Sequence, residues 1–283
     1  CQHVIFSAEI YEDIYRHDTD LWLYRLGEAV PEKIYDGHGE LANLCFIDND
    51  YLFFTRYTYE WAGRSPRFLC FDRVHRTVAQ WPFYDKAIQN SVGSDAKYGG
   101  GKSVASDGGV LYYLEANETD TFVAALDRDG RRRYVNQVPG AVTGLDAASG
   151  CLVVTAMREQ GLAEIYAVDT ASGQERRLTD FNDAYFFGHK TGAPERFSYV
   201  SKNGYTMKGF VLFPADYEPG RKYPVILSMH GGPKVVYGTV FHHEMQCQAG
   251  DGYFVIYTNP RGSDGRGEAF ADLTGGLGGP DFD

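Results

Sequence analysis

The chain has 283 residues, room for one large or two ordinary domains, and its 43% hydrophobic content supplies a core and excludes wholesale disorder. A net charge of −11, with no Lys/Arg cluster beyond Arg131, Arg132 and Arg133, argues against a nucleic-acid partner, which needs a basic face. The cysteines Cys1, Cys45, Cys70, Cys151 and Cys247 are odd in number, scattered and without a C-x-x-C pair, which argues against a disulfide framework or zinc knuckle and points to reduced thiols in a cytoplasmic protein.

Aromatic residues reach 15%, and Tyr and Phe suit the pleated, half-buried surface of a strand. In chain order, apolar strands are predicted at 4–8, 51–55, 110–114 and 151–155. Each is followed by a polar loop and a second strand: Leu21-Trp22-Leu23-Tyr24, Phe68-Leu69-Cys70-Phe71, Phe122-Val123-Ala124-Ala125 and Glu164-Ile165-Tyr166-Ala167. A short third strand comes next, as at Lys33-Ile34-Tyr35 and Arg176-Arg177-Leu178. The last three repeats also carry a preceding strand that runs into Asp48-Asn49-Asp50, Asp107-Gly108-Gly109 or Ala148-Ser149-Gly150. A strand-turn-strand order recurring every ~40–60 residues is the pattern of β-propeller blades. Residues 1–190 are therefore expected to form a partial β-propeller of four-stranded antiparallel blades, about four in number with the first incomplete. A blade needs neighbours on both sides, so further blades are expected upstream of Cys1.

Residues 191–283 follow a different grammar. Asn203-Gly204 supplies a hairpin turn between strands at 197–200 and 207–213. The apolar runs Pro224-Val225-Ile226-Leu227-Ser228-Met229 and Tyr253-Phe254-Val255-Ile256-Tyr257 read as strands buried on both faces, with a helix expected over 239–249 between them. Strand, helix, strand opens an α/β domain. The final Gly279-Pro280-Asp281 has the proline and acidic residue of a helix N-terminus, so the chain is expected to continue beyond Asp283.

The chemistry is expected at His230-Gly231-Gly232-Pro233, at the end of the first buried run. A glycine pair there lets the backbone turn sharply and aim peptide N–H groups at a developing negative charge. With Gly209-Phe210-Val211-Leu212-Phe213-Pro214, Lys222-Tyr223-Pro224-Val225-Ile226-Leu227, Gly252-Tyr253-Phe254-Val255-Ile256, Asn259-Pro260-Arg261-Gly262-Ser263 and Gly278-Gly279-Pro280-Asp281-Phe282-Asp283, this string resembles the prolyl oligopeptidase family of serine peptidases, in its acylaminoacyl-peptidase-like branch. The resemblance implies a propeller followed by the N-terminal part of an α/β-hydrolase domain, and a short peptide as substrate. It implies Gly232 as an oxyanion N–H donor, with Gly231 and His230 shaping the loop. The family's nucleophile sits in a G-x-S-x-G elbow, followed by Asp and then His. No such elbow occurs here, and the spacing of Gly262-Ser263-Asp264-Gly265 is wrong for one. The triad residues are thus expected beyond Asp283, the fragment alone is expected to be inactive, and His230 precedes the position of the family's base. The alternative is a non-catalytic propeller module that binds peptides or proteins.

Other strings carry less. Gly101-Lys102-Ser103 lacks the earlier glycine of a phosphate loop, since position 96 is Ala96. His242-His243-Glu244 lacks the i, i+4 histidine pair of zinc peptidases, and Glu60 lacks an adjacent second Glu that could anchor a substrate amine. No cofactor or metal is called for. No apolar run has the length of a membrane span and no signal peptide is visible, so no membrane partner is expected; oligomerisation stays open.

Overall fold

The computed structural model describes residues 2–9, 18–58, 64–97, 99, 101–232 and 234–272. The first repeat is three paired strands, β1 (His3–Glu9), β2 (Thr19–Arg25) and β3 (Glu32–Tyr35). The second is β4 (Glu40–Phe46), β5 (Tyr51–Tyr57), β6 (Arg67–Asp72) and β7 (Thr77–Gln80), each antiparallel to the next. The third, β8 (Val104–Asp107), β9 (Val110–Asn117), β10 (Asp120–Leu126) and β11 (Arg132–Tyr134), repeats that meander. So does the fourth, β12 (Ala141–Ala148), β13 (Cys151–Met157), β14 (Glu164–Val168) and β15 (Glu175–Arg177). The third and fourth join through the parallel pair Thr121 and Ala141, and among the described residues no sheet closes on itself. Gly108 and Gly109 make the two-residue turn between β8 and β9 with φ of +58° and +79°, values that a tight hairpin needs at both positions and glycine supplies freely.

Side chains alternate across a strand, so a strand apolar at every position must be covered on both faces. On β9, Leu111 and Tyr113 pack with Phe53 and Phe68 of the second repeat, while Tyr112 and Leu114 pack with Leu152 and Val154 of the fourth. β5 divides the same way: Phe53 faces the third repeat, and Leu52 and Phe54 face Leu21 of the first. The meanders therefore stack face to face, and each large side chain so buried contributes about 1.5–3 kcal/mol.

After β15 come α1 (Asp183–Phe186), β16 (Glu195–Val200), β17 (Thr206–Leu212), β18 (Val225–Ser228), α2 (His243–Gly250), β19 (Phe254–Asn259) and α3 (Glu268–Ala271). Their sheet runs β16-β17-β19-β18, with β18 and β19 parallel and joined through α2. Met245 and Ala249 of α2 pack on Phe210, Leu212, Val255 and Tyr257, which covers one sheet face. Two expectations shift here. The helix begins at His243, not 239, because Val240 and Phe241 are buried against Val92 and Met157 of the first half. Among the described residues the run ending at Met229 is not covered on both faces: β18 lies at the end of its sheet, and Val225, Leu227 and Met229 are 57%, 60% and 80% exposed.

The two halves meet along Ser91–Gly93 and Val236. Val92 and Val236 form a parallel bridge, flanked by hydrogen bonds of 2.9 Å from Gly93 N to Val236 O and from Val236 N to Ser91 O.

Candidate active site

In a parallel sheet, loops at the carboxyl ends of adjacent strands share one crevice. Here the loop His230-Gly231-Gly232 follows β18 directly, and Pro260 to Asp264 follow β19. Gly231 and Gly232 are exposed; Gly232 adopts φ +99°, a left-handed conformation suited to glycine. Pro233 lies outside the described residues.

His230 is half-buried and anchored on several sides. Its Nε2 lies 3.2 Å from Ser263 Oγ, its Nδ1 3.3 Å from Gly231 O, and its ring meets Tyr237 edge-on at 5.0 Å. Tyr237 is held in turn by Asn259: its N–H donates to Asn259 Oδ1 at 2.7 Å, and Asn259 Nδ2 donates back to Tyr237 O at 2.8 Å. The Tyr237 hydroxyl reaches Ser228 Oγ at 3.1 Å. Burial disfavours the imidazolium and lowers the His230 pKa from 6.5, against smaller opposing contributions from Gly231 and Asn259, so the ring is neutral at pH 7.

Asp264 is 6% exposed and tied to the first half of the chain. Ser91 Oγ donates to its Oδ2, Gln89 Nε2 donates to the same oxygen at 3.4 Å, and Lys234 Nζ stands 3.9 Å from Oδ1. The next residues are also clasped by the meanders. Gly265 O accepts from Lys86 Nζ and from Glu118 N, both at 3.0 Å, and Glu268 N donates to Asp85 Oδ1 at 2.8 Å.

The structure places Gly231 and Gly232 exposed beside His230 at the carboxyl end of β18. Sequence reasoning missed Ser263, Asp264, Tyr237 and Asn259 as their supports. The string Asn259-Pro260-Arg261-Gly262-Ser263 stands out in the sequence, but spacing gave it no role, and the partner Ser91 lies 173 positions from Asp264. The remaining strings stay apart from this site. Lys102 pairs with Asp146 at 2.8 Å ahead of strand β8, not a helix. His242 Nδ1 lies 3.2 Å from Asp95 Oδ2, and among the described residues no three His, Cys, Asp or Glu side chains converge on a metal position. Cys45, Cys70, Cys151 and Cys247 are free thiols, while Cys1, Glu60 and residues 278–283 fall outside the described residues. No helix among the described residues is long and apolar enough to cross a membrane.

No family model matches the chain. The uncharacterized peptidase YuxL of Bacillus subtilis is 38% identical over 122 residues, 43% of this chain and 18% of that protein. Dipeptidyl-peptidase 5 of Porphyromonas endodontalis is 25% identical over 173 residues, 60% of this chain and 25% of that protein. Among solved structures, the acylaminoacyl peptidase of Pyrococcus horikoshii superposes on 95% of this chain, with a TM-score of 0.77 and 25% identity. An acylaminoacyl peptidase in complex with Z-Gly-Gly-Phe-chloromethyl ketone gives a TM-score of 0.78 at 25% identity. Homologues of the chain are thus peptidases of the dipeptidyl peptidase, acylaminoacyl peptidase and prolyl oligopeptidase family, in agreement with the resemblance its motifs carry. The chain spans 18% and 25% of the length of these curated relatives and 40% of these solved chains.

Proposed function

We propose that this chain is part of a serine peptidase that hydrolyses short peptides, releasing N-terminal or N-acylated residues. In this reading residues 1–190 are blades of a β-propeller and residues 191–283 open an α/β-hydrolase domain. The observation that carries it is the exposed glycine loop at the carboxyl end of β18, with Gly232 at φ +99°. The stacked antiparallel meanders and the peptidase relatives support it.

The loop supports the following reaction. A serine oxygen bonds to the scissile carbonyl carbon as its proton passes to a histidine, and the carbonyl π electrons move onto oxygen. The Gly232 N–H donates to that oxyanion; one such donor is worth about 10²–10³ in rate. Collapse breaks the C–N bond and the amine leaves with the proton from the histidine; water then attacks the acyl-enzyme by the same route, which releases the acid and restores the serine. Serine, acid and base come from residues outside this sequence, and no metal or cofactor enters. His230 is not the base: its Nε2 faces Ser263, which is 1% exposed and out of reach of a substrate.

A fluorophosphonate probe tests this. The full-length protein carrying this chain should label at a serine outside these 283 residues and cleave peptide nitroanilides. Absence of both labelling and cleavage would refute the peptidase reading. Labelling of this chain by itself would put the nucleophile within it.

A further inference from the structure

Gly232 N and Gly231 C=O belong to one peptide unit. That unit is planar and trans, so its N–H and C=O point in opposite directions. Whatever holds the Gly231 oxygen therefore also aims the Gly232 N–H. Among the described residues, His230 Nδ1 lies within reach of that oxygen, at 3.3 Å. Gly231 O can only accept, so the bond requires the proton on Nδ1. A neutral imidazole with its proton on Nδ1 has an acceptor at Nε2, and Ser263 Oγ stands there at 3.2 Å. Ser263 is 1% exposed, so little water competes for its hydroxyl. The next residue, Asp264, is fixed by Ser91, Gln89 and Lys234. The Asn259 carboxamide also faces the ring: its Oδ1 accepts from Tyr237 N and its Nδ2 donates to Tyr237 O, and each end keeps a second valence for the imidazole.

We propose that Ser263 is a positioning residue: by donating to His230 Nε2 it selects the Nδ1–H tautomer, and His230, by donating to Gly231 O, aims the Gly232 N–H at the oxyanion. The meander half takes part, because Ser91 holds Asp264 and with it the backbone that presents Ser263. The inference rests on the oxyanion role of Gly232 under the proposed function, but the hydrogen-bond relay can be read separately.

Two measurements test it. The first is the nitrogen chemical shifts of His230 in the folded protein at pH 7.5, assigned by their loss in His230→Gln. The expected state is protonation at Nδ1, moving toward the Nε2–H form in Ser263→Ala. A wild-type ring protonated at Nε2 overturns the relay, whether or not the protein is a peptidase. The second is turnover by full-length Ser263→Ala. Loss of one aimed donor should lower kcat roughly tenfold or more and leave KM within about twofold. Affinity for a peptidyl aldehyde, which forms a tetrahedral adduct, should fall by the same factor as kcat. A merely structural role would lower the yield of active protein without that parallel. Unchanged kcat and aldehyde affinity in a folded variant overturns the proposal, whereas a wild-type protein without peptidase activity overturns the functional reading and leaves the tautomer result standing.

Discussion

Asp95 caps the start of α2 at His243: its Oδ1 accepts the His243 N–H and its Oδ2 the Glu244 N–H, each at 2.7 Å. The first N–H groups of a helix have no partner within it, and His242, at the N-cap, makes no side-chain cap. The cap therefore comes from the meander half, across the contact of Val92 with Val236. Asp95→Ala should destabilise the protein by about 1 kcal/mol, with Asp95→Asn retaining part of the stability as a neutral acceptor. Urea unfolding at pH 7 measures both; equal midpoints for wild type and Asp95→Ala would contradict the cap.

A second polar anchor lies where the meander half ends. Glu164 is 3% exposed and accepts from Thr179 Oγ1, from Phe181 N at 3.2 Å, and from Asn182 N and Nδ2 at 2.9 Å each. Burial opposes the charge, yet these donors outweigh it and hold the pKa down to about 2, against 4.5 ordinarily. A depressed carboxylate contributes stability that is complete above the unfolded value and is lost as pH falls through the folded one. The contribution, on the order of 3 kcal/mol, should therefore fade between pH 4.5 and about 2. Glu164→Gln should be less stable at pH 7 and show a flatter profile across that window. Parallel wild-type and mutant curves from pH 7 to pH 2.5 would rule this out.

His230 gives a dependence at higher pH. Its pKa lies below 6.5 because burial disfavours the imidazolium. The unfolded chain thus takes up the proton first as pH falls. Stability should be flat above about pH 7, decline below 6.5, and flatten again once the folded ring is protonated. His230→Gln removes this slope if His230 causes it. A comparison of denaturation midpoints at pH 7.5 and 5.5 in both proteins decides the point.

How far the sequence disclosed this structure depended on how local each cause was. The β9 run Val110-Leu111-Tyr112-Tyr113-Leu114 is apolar at every position, which requires cover on both faces, and the neighbouring meanders provide it. Gly108-Gly109 announces a tight turn by itself. Among the described residues Leu227 lacks cover on one face, and the run's own composition carries no information on which distant segment would supply it. The glycine loop was legible because the backbone freedom of Gly231-Gly232 follows from residue type. Its supports were not. The contacts of Ser263 with His230 and of Asp264 with Ser91 join residues far apart in the chain, and neither pair has a spacing rule.

Gly232 offers a test that separates backbone strain from chemistry. Its φ of +99° is unfavourable for any residue with a Cβ, and a Cβ there would come 3.2 Å from Val235 Cγ2. Gly220 makes a useful control: its φ is +88°, a Cβ there meets nothing within 4 Å, and it sits in the loop between β17 and β18. Both Gly→Ala changes should lower stability by about 1–2 kcal/mol through the left-handed conformation alone. Only Gly232→Ala should also lose activity if the proposed oxyanion role holds, because relaxing the strain rotates the peptide whose N–H is assigned to that donor. Losing one such donor corresponds to a fall in kcat of about 10²–10³. Assayed in the full-length protein well below both melting temperatures, Gly220→Ala should keep wild-type turnover. Equal turnover in the two variants would separate Gly232 from the reaction and leave its φ as a purely structural feature of the loop.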